Sequence, residues 1–170
     1  MKSIIFAALL ALAFSAAGAQ EKNDQSKSDE HHCGVMKRGN QAMGFSHEKT
    51  THHFLLADDG GSIEIQANDP KDIASQDQIR EHLGHIVKRF AAGDFEIPMF
   101  IHATTPPGVP VMKTLRDQIQ YGYEKMDRSA RVRITTKNAE ALDAIHDFLR
   151  FQISDHQSGD PAESGHTHHD

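Results

Sequence analysis

The chain has 170 residues, a length that favours one domain and leaves no room for two large lobes. It holds 13 His against a single Cys, which excludes an intramolecular disulfide framework, a four-cysteine zinc site and a CxxCH haem attachment. A net charge of −6 argues against general nucleic-acid binding, which needs a basic surface to displace counterions.

In chain order, Lys2, the apolar run Ile4–Phe14 and the small residues Ala17-Gly18-Ala19 read as an export signal over residues 1–19. The run is too short for a stable span, and no later segment is apolar enough to cross a bilayer. The expected location is therefore secreted or periplasmic. Residues 20–30 carry no apolar side chain, and 31–45 are broken by glycine. Together they predict a flexible N-terminal segment over 20–41.

The folded domain is expected over 42–156. Thr50–Leu56 and Ser62–Ala67 flank Asp58-Asp59-Gly60-Gly61, a hairpin signal. An even-length loop puts His52, Phe54, Leu56, Ile63 and Ile65 on the core face and His53 on the other. A helix follows from Ile73 or Ser75 to Ala92, with Ile79, Leu83, Ile86, Val87 and Phe90 as its apolar stripe. Pro98–His102 reads as a short strand, Val109–Met126 as a second helix, and Arg131–Thr136 as a strand. Asn138 caps a last helix with Leu142, Ile145, Leu149 and Ile153 on one face. The order ββαβαβα predicts a single α+β domain, a small antiparallel or mixed sheet with helices on one face. The stretch 157–170, rich in Gly, Ser and His, reads as a disordered tail.

Charge and histidine follow opposite rules along this layout. Between His31 and Ile153, 15 Lys+Arg face 16 Asp+Glu, so the acidity belongs to the ends. Eight histidines lie in or beside regular elements: His47, His52, His53, His82, His85, His102, His146 and His156. His82 and His85 sit at i, i+3 on the first helix, close enough to meet around one ion. Imidazole suits both zinc and copper. The predicted metal ligands are His82 and His85, with His52 and His102 or His146 completing the site. His156 shares the inward face of the last helix with His146. Cys33, His31 and His32, with His166, His168 and His169, form a fringe suited at most to metal capture. Met36 and Met43 lie in the irregular segment near His47, where thioether sulfur would favour copper.

There is no GxSxG, P-loop, GxGxxG or HExxH, so no catalytic residue is assigned. The leading expectation is an exported protein that binds copper or zinc through histidines. Three alternatives stay open: a small metal-dependent enzyme, a haem-dependent one, and a cofactor-free pH-sensing or interaction module. A homodimer also stays open.

Met43-Gly44-Phe45, Thr51-His52-His53-Phe54, Ile79-Arg80-Glu81-His82-Leu83-Gly84-His85 and His146-Asp147-Phe148-Leu149-Arg150-Phe151-Gln152 carry a resemblance over most of residues 43–160. On these runs the chain resembles an uncharacterised family of exported bacterial His-rich proteins, some labelled aspartate carbamoyltransferase. The resemblance implies export and no activity. The transferase label would need a Ser-Thr-Arg-Thr-Arg run, a His-Pro-x-Gln run and two α/β lobes, none of which this sequence contains.

Overall fold

The computed structural model describes residues 14–164, with side chains from Asp29 onward. The export signal, apart from its last residues, and the tail histidines His166, His168 and His169 lie outside the described residues. The first helix, α1, runs over Phe14–Met43, where the glycine-broken composition predicted a flexible and irregular segment. By its contacts the chain divides between Cys33 and Gly34, and the sheet and the helices that pack on it belong to the unit from Gly34 onward.

A 3-10 turn at His47–Lys49 leads into strand β1, Thr50–Ala57. The loop Asp58-Asp59 returns the chain as β2, Gly60–Ala67. The pairs His52↔Ile65 and Phe54↔Ile63 put the expected residues on the core face, and His53↔Glu64 lies on the other. Gly60 is required at the bend: its φ is +145°, and a Cβ there would lie 2.0 Å from the Ile134 carbonyl oxygen.

Helix α2, Ile73–Ala91, starts where Asp72 accepts the Ser75 N–H at 3.0 Å. It buries Ile79, Leu83, Ile86 and Phe90, the stripe its periodicity predicts. Two assignments then change. Pro98–His102 is not a strand but belongs to a short helix, α3, Glu96–His102. Pro98 is tolerated there because the N–H groups of a first turn have no intrahelical partner anyway. Nor is Val109–Met126 one helix. It divides into α4, Val109–Thr114, a 3-10 turn, and strand β3, Ile119–Lys125. Ile119-Gln120-Tyr121-Gly122-Tyr123 has the aromatic alternation of a strand, and β4, Ser129–Thr136, supplies its partner.

The last helix, α5, spans Ala139–His156, and Asn138 accepts the Ala141 N–H at 2.9 Å. The observed order is αββαααββα, and the four strands form one antiparallel sheet, β1-β2-β4-β3. The α+β class holds, with α2 and α5 packed on the sheet around one core. Because β1 is an edge strand, its inward residues near Thr50 are covered by the turn before it and the end of α5.

Candidate functional site

Four imidazoles gather at that corner, each delivered by a different element. His52 comes from the core face of β1. His47 comes from the 3-10 turn, where Ser46 accepts the Glu48 N–H at 3.2 Å and Asn40 Oδ1 accepts the His47 N–H at 2.8 Å. Gly39 on α1 makes room for that ring, since a Cβ there would lie 2.2 Å from His47 Nε2. His156 is the last residue of α5, and His102 the last of α3.

The rings lie close together. His47 and His52 have centres 4.6 Å apart, and His156 lies 5.6 Å from each of them. The three planes are within 25° of one another. His102 meets His156 edge-on at 5.0 Å. Aromatic carbon closes the sides: Phe54 lies 5.1 Å from His156 and Phe45 6.4 Å from His52.

Burial decides the protonation of this group. The His52 pKa is held well below the ordinary imidazole value, first by burial and then by the neighbouring His47, His156 and His82. Its Nε2 is out of contact with solvent and has no hydrogen-bond partner among the described residues. A neutral imidazole with an unpaired ring nitrogen is the form that ligates a metal. His156 and His102 also lie in the last turns of their helices, where the partial negative charge of the carbonyl end favours a cation.

His102 plays a different part. It is 1 % exposed, its Nδ1 meets the Asp155 carboxylate, and its Nε2 lies 2.9 Å from Gln152 Oε1. Both ring nitrogens are therefore engaged, so His102 positions the side of the cluster and has no lone pair aimed at an ion. Its pairing with Asp155 and Gln152 explains why the end of α5 is so polar.

Below the imidazoles is a cavity of about 60 Å³, walled by Ile63, Ile65, Leu83, Ile86, Phe90 and Phe148, with His52, His82, His102 and His156 also on its lining. His82 contributes from α2, its ring edge-on to Phe45 at 5.6 Å. Burial, and next the nearby His85, lowers its pKa to about 4. His85 itself is exposed on an open groove.

Of the five predicted ligands, His52 and His102 are in the cluster, His82 borders it and His85 lies outside it. His146 is elsewhere: its Nε2 donates to Ala57 O at 2.9 Å and Gly60 O at 3.0 Å, tying α5 to the β1–β2 bend. Two cluster members fall outside the predicted set. His156 is legible as an inward residue of the last helix. His47 is not, because a turn leaves no periodicity to read. Among the described residues, no group of three or more His, Cys, Asp or Glu is placed so that it could hold a metal ion. No helix among them is long and apolar enough to cross a membrane. No protein-family model, curated protein or solved structure matches the chain.

Proposed function

We propose that this is an exported protein that binds one transition-metal ion, copper or zinc, through the imidazoles of His47, His52 and His156. The observation that carries the reading is the spacing of those three rings, 4.6–5.6 Å between centres. Imidazole nitrogens about 2.0–2.1 Å from one ion place their ring centres on the order of 5 Å apart. The rings thus have the separation of a ligand set, and binding requires them to turn until their nitrogens converge. The unpartnered, uncharged nitrogen of His52 supports this, because binding there displaces no hydrogen bond. The signal read in residues 1–19 supports a secreted or periplasmic location.

The test is elemental analysis of untagged protein after dialysis, in wild type and in variants. One tightly held equivalent should disappear in His52→Ala and in His156→Ala. It should persist when His31, His32, His166, His168 and His169 are all replaced. A wild type without a tight equivalent, or one whose equivalent survives both inner substitutions, overturns the reading.

The haem alternative has less support, since a cavity of about 60 Å³ is small beside the roughly 300–1,000 Å³ of drug-sized ligand sites. A cofactor-free pH sensor is the better second reading, favoured by the depressed pKa values of both His52 and His82. In metal-free protein, protonation would force like charges together under a partly apolar cover. Unchanged fold and oligomeric state between about pH 4 and pH 8 in chelator-treated protein would exclude it.

A further inference from the structure

His82 and Met43 each face two spaces. Inside, both border the small cavity together with His52 and His156. Outside, both border an open groove of about 600 Å³, where His85, Gln78, Glu81 and Lys88 also lie. They therefore stand in the partition between solvent and the inner imidazoles. Phe45 fills the space between, edge-on to His82 at 5.6 Å and nearly parallel to His52 at 6.4 Å.

A hydrated ion cannot cross such a partition cheaply, because an uncompensated charge in apolar surroundings is strongly disfavoured. Moving it ligand by ligand avoids that cost. His82 and His85 occupy i, i+3 positions on α2, so their rings can share an ion at the groove wall. Met43, 8 % exposed, adds a soft thioether at the same wall. Thioether and imidazole together select Cu(I) over Zn(II). The groove's cations oppose this only partly: Arg89 is paired with Asp94 at 2.6 Å and Glu96 at 3.3 Å, and Glu81 offsets Lys88.

We infer that His85, His82 and Met43 form an outer, exchangeable station for Cu(I), through which the ion reaches His52, His47 and His156. The inference rests on the metal reading above and adds its route and its metal preference. His85 captures the ion from solvent, His82 shares it, and Met43 holds it while His52 replaces the outer imidazole. No change of oxidation state is involved.

The experiment is anaerobic loading of full-length protein from a buffer of Cu(I) and a coloured chelator, followed by stopped-flow absorbance, with Zn(II) loading in parallel. His85→Ala removes an exposed side chain, so the fold should persist, as circular dichroism will check. It should slow Cu(I) loading on the order of tenfold while leaving the final copper content unchanged. Met43→Leu, nearly equal in volume, should slow Cu(I) but not Zn(II). Loading of His85→Ala at the wild-type rate overturns the inference. So does equal slowing of both metals in Met43→Leu. If wild type holds no tight equivalent, the metal reading itself fails and this inference with it. If wild type holds one that needs His52, and His85→Ala loads normally, only the outer station fails.

Discussion

Helix α5 carries two histidines, and their surroundings give them opposite chemistry. His146, near its middle, bonds main-chain carbonyls through Nε2, those of Ala57 and Gly60. A carbonyl accepts and never donates, so Nε2 must carry the proton there and act as a fastener. His156, its last residue, meets rings: His47, His52, His102 and Phe54. Helix and residue type are the same, and the neighbours assign the role. It follows that substitution of His146 should cost stability, and substitution of His156 metal.

The largest effect should come from the residue that holds the cluster's side. His102→Ala removes a ring that is 1 % exposed and meets both the Asp155 carboxylate and Gln152 Oε1, and should cost about 3 kcal/mol in denaturant unfolding. Full wild-type stability in this variant would mean that the pair supports neither the cluster nor the fold.

Acidification comes next. The His82 pKa of about 4 lies below its unfolded value of 6.5, so the unfolded chain takes up the proton first. The stabilising contribution is complete above pH 6.5 and declines as the pH falls to about 4, with His52 adding in the same direction. For His82 the loss should be about 2 kcal/mol, less than the full shift implies because the ring is partly solvated. Thermal unfolding of chelator-treated protein should show a Tm drop of about 5 °C over that window. A His82→Gln variant should flatten the profile, and an identical slope would remove His82 as its source.

Gly39→Ala should push a methyl group into the His47 ring, costing about 2 kcal/mol and weakening metal retention together. Loss of stability with unchanged metal content would take His47 out of the ligand set. His146→Ala sharpens the contrast from the fastening side. It removes both of these hydrogen bonds, should cost about 1.5 kcal/mol, and should leave metal content at the wild-type level. The smallest effect should be at His53, on the solvent side of β1, where Nδ1 meets Asp160 at 2.9 Å. With His53 38 % exposed, His53→Ala should cost about 0.5 kcal/mol in the same unfolding assay.

Much of the frame is readable from local pattern. Period-two alternation and a two-residue bend settle that His52 faces inward and His53 outward. Asn138 marks the start of α5, and the stripe of α2 needs only its own spacing. Where two periods fit the same residues, local pattern fails. Val109–Met126 has apolar residues at helical spacing, but Ile119, Tyr121 and Tyr123 also alternate, and pairing with β4 decides for the strand. The five residues Pro98–His102 are too few to separate helix from strand.

The site divides the same way. Composition and face arithmetic alone made histidine the residue to explain, excluded an intramolecular disulfide framework and a four-cysteine zinc site, and turned His52, His146 and His156 inward. Which imidazoles meet is a long-range property. His47, His52, His102 and His156 come from a turn, a strand and two helices spread over more than a hundred residues, and no local period links them. Packing of α5 across the edge strand brings them together, and it turns His146 away to the hairpin. The i, i+3 pair at His82 and His85 was the clearest sequence signal of metal chemistry, but spacing along one helix cannot tell a core wall from a groove. Only the fold makes that pair a boundary, with one ring against the cavity and the other in solvent.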